Sequence, residues 1–205
     1  MQTLWVATSN QGKLNEFKML MNREPLALHS QGELPVFSAP PENGDSFLAN
    51  ARIKARALRS VRDHDWVMGE DSGLEVEGLG GLPGIHSARY AGARAADSEN
   101  IAKLLKMMQI RSATHRSARF VSVIVCFAPD GTEHIAEGVL DGEIAKVPKG
   151  NAGFGYDNVF IPVGEGKTLA ELGLAAKNRI SHRAKAVIAL LDRIRPQISD
   201  AATGS

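Results

Sequence analysis

The run Arg119-Phe120-Val121-Ser122-Val123-Ile124-Val125-Cys126-Phe127 limits the fold more than any other stretch of the chain. Its β-branched and aromatic residues read as one strand. Asp130-Gly131 follows and is a strong hairpin signal. Thr132 to Val139 returns as a second strand, with Gly138 as a bulge position, and Gly142 to Val147 adds a third. Strands that follow strands with no helix between them exclude a purely parallel sheet. The sheet is expected to be mixed, with the two halves of the chain forming lobes around a shared cleft.

A chain of 205 residues, 43% of them apolar, can bury a full core as one large domain or two small lobes. Residues 1–198 are taken as that domain, and 199–205, small and polar, as a frayed C-terminal tail. The 24 basic and 23 acidic residues are closely mixed. That balance gives no reason to expect binding to nucleic acid or a membrane surface, and it leaves room for a small anion in a local pocket. The single cysteine, Cys126, excludes an intrachain disulfide and a cysteine-based zinc site. It reads as a core residue. The N-terminus lacks the features of a signal peptide and no apolar run can span a bilayer, so a cytoplasmic location is expected.

At the start, Leu4-Trp5-Val6-Ala7 reads as a buried strand. Thr8-Ser9-Asn10-Gln11-Gly12-Lys13 reads as a polar loop, and Leu14 to Met21 as a helix with Leu14, Phe17, Met19, Leu20 and Met21 on its apolar face. Such a loop can offer backbone N–H groups to an anion, with Lys13 adding charge. It is not a P-loop, because Ala7 and Leu14 stand where that motif needs glycine and Ser or Thr. A plain helix cap with Lys13 in solvent is the alternative. Leu26 to Leu28 is a short strand, and Pro35, Pro40 and Pro41 keep the next stretch irregular. Asp45 or Ser46 then caps a helix from Phe47 to about Arg62, in which Lys54 takes a position normally solvated.

Trp66-Val67-Met68 ends in Gly69-Glu70-Asp71-Ser72-Gly73, and Leu74-Glu75-Val76 follows. We read this as strand, tight turn and strand. A regular strand sends only one of two neighbouring carboxylates into a site. A bend with positive φ at Gly73 would aim both inward. Paired carboxylates suit a hard divalent cation and activation of a water; an acidic surface turn is the other reading. Gly78 to Ile85 is a glycine-rich loop, and His86 lacks metal-ligand spacing. Asp97 or Ser98 caps a helix to about Met108. Gly153-Phe154-Gly155-Tyr156-Asp157 places glycines around an aromatic residue. Phe154 or Tyr156 can stack on a flat ring, or simply fill a core. Val159 to Ile161 is a strand ended by Pro162. Ser181 is placed to cap the last helix, whose face is Ala184, Val187, Ile188, Leu191 and Ile194. His182 and Arg183 then oppose the helix dipole in its first turn. A broken local rule of this kind marks a functional position, unless both residues are simply solvated.

In order and spacing, Thr8-Ser9-Asn10-Gln11-Gly12-Lys13, Asp71-Ser72-Gly73-Leu74, Pro83-Gly84-Ile85-His86-Ser87-Ala88-Arg89-Tyr90-Ala91-Gly92, Gly153-Phe154-Gly155-Tyr156-Asp157 and Ser181-His182-Arg183 resemble the inosine triphosphate pyrophosphatases, or dITP/XTP pyrophosphatases, of bacteria. The resemblance runs from Leu4 to about Arg195. It implies an α/β fold: an elongated, two-lobed structure with a mixed β-sheet flanked by helices and the active site in the cleft. It implies a Mg2+-dependent, homodimeric enzyme that hydrolyses ITP, dITP and XTP to the monophosphate and pyrophosphate. By similarity Asp71 is the proton acceptor and a metal ligand, and Glu42 helps hold the metal. Thr8, Ser9, Asn10, Gln11, Gly12 and Lys13 grip the triphosphate, with Ser72 nearby. Phe154 stacks on the base within Phe154-Gly155-Tyr156-Asp157, and Lys177, His182 and Arg183 complete the base pocket. Arg183, donor-only, would donate to the 6-oxygen of hypoxanthine or xanthine and clash with the adenine amine. The chain departs from the family pattern at Ser9, Ala49, Glu70 and Asn158. Two rivals stand beside this reading: a related enzyme for modified pyrimidine or methylated nucleotides, and a non-catalytic nucleotide-binding module.

Overall fold

The computed structural model describes residues 2–111 and 114–203. The chain runs β1 (Gln2–Val6), α1 (Gln11–Leu20), β2 (Leu26–Ser30), α2 (Phe47–Arg59), β3 (Trp66–Val76), α3 (Asp97–Arg111), β4 (Ser117–Phe127), β5 (Glu133–Ile144), β6 (Phe160–Pro162), α4 (Leu169–Leu172), α5 (Leu174–Ile180) and α6 (His182–Thr203). The strands form one six-stranded sheet in the order β2-β1-β3-β4-β5-β6. β1 pairs in parallel with β2 and with β3, whereas β5 and β6 are antiparallel. The mixed sheet expected from the sequence is the one that forms.

The chain divides into two compact units. The first comprises residues 1–71, 122–138 and 183–205. Its strands alternate side chains between two faces. Trp66, Met68, Ile124 and Cys126 join Phe17 and Met21 of the α1 segment and Val187, Leu190, Leu191 and Ile194 of α6 in one cluster. Trp5, Val67, Val125 and Phe127 join Ala51, Ala55 and Leu58 of α2 in another. Cys126 is a core residue as expected, and burial pushes its thiol up to about 12. The second unit comprises residues 72–121 and 139–182. Its core joins Leu74, Val76, Leu104, Met108, Phe120, Tyr156 and Phe160.

Several local expectations are corrected. α1 begins at Gln11, so Gly12 and Lys13 lie in its first turn and not in a loop; Asn10 caps it by accepting from the Lys13 N–H at 3.0 Å. Met19 and Ile188, assigned to apolar faces, are exposed. The segments Thr132–Val139 and Gly142–Val147 are one strand, β5. Asp97 opens α3 and accepts from the Gly155 N–H at 2.6 Å. α6 remains helical to Thr203; residues 204 and 205 lie outside the described residues.

The largest correction concerns β3. Residues Trp66 to Val76 form one continuous strand, with no turn at 70–73 and no positive φ at Gly73. The glycine the region requires is Gly69. A Cβ there would lie 2.3 Å from the Ala51 carbonyl oxygen and 2.6 Å from the Ala55 nitrogen, both helix backbone that cannot swing aside. Gly69 thus lets α2 lie directly on β3. Gly69→Ala is expected to destabilise the protein by about 1–3 kcal/mol, the cost of overpacking a close contact. Urea denaturation reads this directly, and an unchanged midpoint would contradict it.

Candidate active site

Because β3 is fully extended, Glu70 and Asp71 point to opposite faces of the sheet. Both are buried, at 4% and 5% exposure. A buried carboxylate needs a cation or hydrogen-bond donors, and here each draws on different helices.

Glu70 faces α1 and α6. Lys13 Nζ donates to its Oε2 at 2.8 Å, and Arg183 Nη2 to its Oε1 at 2.9 Å. The Ser122 hydroxyl of β4 also donates to Oε1, at 2.8 Å. Arg183 Nη1 donates to Glu16. Burial alone would raise the pKa of Glu70, but Arg183 and Lys13 together hold it well below the usual 4.5. Arg183, 1% exposed, is likewise held above its ordinary value by Glu70 and Glu16 despite its burial. The solvated reading of the first turn of α6 is thereby overturned: His182 is 4% exposed and its ring stacks on Phe120 at 4.6 Å.

Asp71 faces α2. Lys54 Nζ donates to its Oδ1 at 2.9 Å and to the Glu70 carbonyl at 2.9 Å. The same ammonium lies 2.8 Å from Glu42 Oε1. Asn50, fully buried, donates from Nδ2 to Asp71 Oδ2 at 3.2 Å. Burial raises the Asp71 pKa, and Glu42 adds to that; Lys54 opposes both without cancelling them. Neighbouring carboxylates on one strand are therefore tuned in opposite directions. Glu70 is a fixed anion, and Asp71 is a more basic carboxylate suited to accept a proton. Asn50 and Lys54 were not picked out as site residues from sequence, where Lys54 was assigned to solvent. Their i,i+4 spacing on α2 is the signal that puts them on one face.

Thr8, Ser9 and Asn10 connect β1 to α1. Thr8 Oγ1 accepts from the Asn10 N–H at 3.1 Å, and Ser9, Asn10 and Gln11 are exposed. Together with Gly12 and Lys13 they form a helix N-terminus beside a cation, an arrangement able to bind an anion. Ser72 follows Asp71 on β3 and is partly buried.

The second unit carries the Gly153-Phe154-Gly155-Tyr156-Asp157 turn, built around Asp157. Its Oδ2 accepts from the Phe154 N–H at 2.9 Å and from Lys177 Nζ at 2.5 Å. Gly153 has φ +83°, and a Cβ there would sit 2.0 Å from Asp157 Oδ2. Lys177 Nζ lies 4.3 Å from the centre of the Phe154 ring. Phe154 is half-buried. Tyr156 is different: it is 5% exposed and its hydroxyl donates to the Ser87 carbonyl at 2.8 Å. Burial raises its pKa. Of the two aromatic candidates, Tyr156 belongs to the core.

The chain is similar over most of its length to known proteins. The model of the Ham1 family matches residues 4–193. The Bdellovibrio bacteriovorus protein named dITP/XTP pyrophosphatase is 52% identical over 193 residues, which cover 94% of this chain and 97% of that protein. The Geobacillus kaustophilus protein of the same name is 43% identical over 190 residues, 93% of each. The structure of the Staphylococcus aureus Ham1 protein superposes with a TM-score of 0.84 at 38% identity, covering 96% of this chain and 100% of that one. That of a Coxiella burnetii HAM1 protein gives 0.83 at 35% identity, covering 100% of both.

Glu70→Gln tests the charge pairing in the first unit. It strips Arg183 and Lys13 of a buried anion and is expected to cost about 3–5 kcal/mol near neutral pH. Because the folded-state pKa of Glu70 is depressed, its contribution is full above about pH 4.5. It declines as the pH falls from there through the folded-state value. The gap between wild-type and variant denaturation midpoints should narrow only in that acid range. A gap that narrows with rising pH would contradict the pairing.

Proposed function

The chain belongs to the Ham1 family, and from that membership we propose that it hydrolyses non-standard purine nucleoside triphosphates, namely dITP, ITP and XTP or dXTP, to the monophosphate and pyrophosphate. The observation that supports the mechanism is a buried carboxylate, Asp71, that shares the Lys54 ammonium with Glu42.

In this reading the first unit supplies the phosphate chemistry. The backbone N–H groups and side chains from Thr8 to Lys13 bind the triphosphate through a helix N-terminus and charge. Asp71 takes the proton of the attacking water. Asp71 and Glu42 also hold a Mg2+ ion. The fit rests on the donor set: both are hard oxygen ligands, and in this structure one cation, the Lys54 ammonium, already lies between them. Among the described residues no cluster of three or more His, Cys, Asp or Glu is arranged for a metal. A site of two carboxylates completed by phosphate oxygens and water is the usual habit of Mg2+. When bound, the metal would neutralise phosphate charge and make the water more acidic.

The second unit supplies base recognition. Phe154 stacks on the purine, and Lys177, Asp157 and His182 surround that ring. Gly155 gives the turn its close backbone, and Tyr156 holds it to the core. Hypoxanthine and xanthine carry an acceptor oxygen at position 6 where adenine carries a donor amine. Lys177 and Arg183 are both donor-only. Lys177, paired with Asp157, sits beside the stacking ring, whereas Arg183 is held between Glu16 and Glu70. Lys177 therefore becomes the first candidate to read the oxygen, and Arg183 positions Glu70. Among the described residues no helix is long and apolar enough to cross a membrane; a cytoplasmic homodimer belongs to the same proposal.

The decisive assay is a panel of nucleoside triphosphates with pyrophosphate detection, with and without Mg2+. Turnover of dITP and XTP well above dATP, dUTP and methylated nucleotides is expected, and only with the metal. A preference for dUTP or methylated nucleotides would favour the pyrimidine-directed rival. Asp71→Asn should lower kcat by at least ~10²-fold; retained turnover would remove Asp71 from its role.

A further inference from the structure

Asn50 on α2 is completely buried, although its neutral, polar carboxamide contributes nothing to an apolar core. Its carboxamide spans two groups. Nδ2 donates to Asp71 Oδ2 at 3.2 Å, and Oδ1 accepts from the Gly44 N–H at 2.8 Å. The amide has one sensible orientation. Reversed, it would set an oxygen against a carboxylate and an NH2 against an N–H. Gly44 is two residues from Glu42 on the same loop. That loop is fitted to the amide: a Cβ on Gly44 would lie 2.8 Å from Asn50 Oδ1, 2.8 Å from Ala49 Cβ and 3.0 Å from the Asn50 nitrogen. Residue 44 must therefore lack a side chain for the loop to reach Asn50.

We propose that Asn50 is a positioning residue that holds Glu42 and Asp71 at a fixed separation, so that the two carboxylates act as one cation site. The inference rests on the function proposed above. Lys54 alone cannot do this work. It is a flexible chain with three rotatable donors, and its ammonium occupies the space between the carboxylates. The planar amide of Asn50, packed at 0% exposure, fixes direction as well as distance. Gly69 completes the arrangement by bringing α2 close enough to β3 for Asn50 to reach Asp71.

The test uses the full chain and two independent variants, Asn50→Ser and Gly44→Ala. Asn50→Ser removes the bridge, and Gly44→Ala forces the loop off it while leaving Asn50 in place. Circular dichroism and thermal midpoints establish that each folds. Mn2+ affinity is read by electron paramagnetic resonance in the presence of an α,β-methylene analogue of ITP. Mg2+ activation curves for dITP hydrolysis accompany it. Both variants are expected to bind Mn2+ about 10–100-fold more weakly and to need correspondingly more Mg2+ for half-maximal turnover, as when groups that orient metal ligands are lost. KM for dITP at saturating Mg2+ should stay near the wild-type value, and added Mg2+ should restore most of kcat. A merely structural role would lower kcat without changing the metal requirement. Wild-type Mn2+ affinity in folded Gly44→Ala or folded Asn50→Ser would overturn the inference. Asp71→Asn serves as the control: if it too keeps wild-type Mn2+ affinity, the metal site itself is misassigned, and the failure lies with the function and not with Asn50.

Discussion

Glu70 and Asp71 are neighbours on an extended strand, and extension sends them to opposite faces of the sheet. Two buried carboxylates on opposite faces cannot share one counter-ion. Removing either charge from water unpaired would cost several kcal/mol. The first unit meets this constraint with helices on both sides. α1 and α6 bring Lys13 and Arg183 to Glu70, and α2 brings Lys54 and Asn50 to Asp71. The unequal supply of charge sets the chemistry. Glu70 draws on Lys13, on Arg183, which it shares with Glu16, and on the Ser122 hydroxyl, and is held well below its usual pKa. Asp71 shares one ammonium with Glu42 and keeps a raised pKa. Under the proposed function, environments that push two like groups apart in this way would separate a structural anion from a reactive base.

The second unit uses a buried carboxylate differently. Asp157 is not offered to solvent or metal; it is consumed in folding its own turn. One oxygen gathers the Phe154 N–H and the Lys177 ammonium, and the positive φ at Gly153 makes space for it. The outcome is an aromatic ring and a cation held side by side. Under the proposed function, a flat, oxygen-bearing base would meet a stacking ring and a hydrogen-bond donor together there.

The sequence made strands and helices legible where periodicity was strong. Arg119 to Phe127 lies within one strand, and Phe160 to Pro162 ends as Pro162 demands. It misled at Gly69 to Gly73, because two glycines around polar residues are the usual mark of a turn. Here one of them is a packing glycine, and that demand comes from the preceding helix, α2, folded back onto the strand. Lys54 was misplaced for a related reason. Most helical lysines are solvated, and the carboxylates that bury this one lie outside its helix. Tyr156 and Phe154 flank one glycine and look equivalent in sequence; only the Ser87 carbonyl, supplied from another segment, decides which is core. Motif order singles out Lys13, Asp71, Phe154 and Lys177 as candidates, but it carries no information on which partners each will find. Arg183 shows this most clearly, since its partners Glu16 and Glu70 come from two other elements.

The most direct test of the account is a 13C NMR titration of the Glu70 and Asp71 side-chain carboxyl groups in the metal-free protein, followed through the acid range in which it remains folded. Asp71 should titrate with a midpoint above the ordinary 3.8, while Glu70 should keep the shift of an ionised carboxylate below 4.5. A Glu70 that titrates at or above 4.5, or an Asp71 that titrates below 3.8, would contradict the division of roles on which the rest is built.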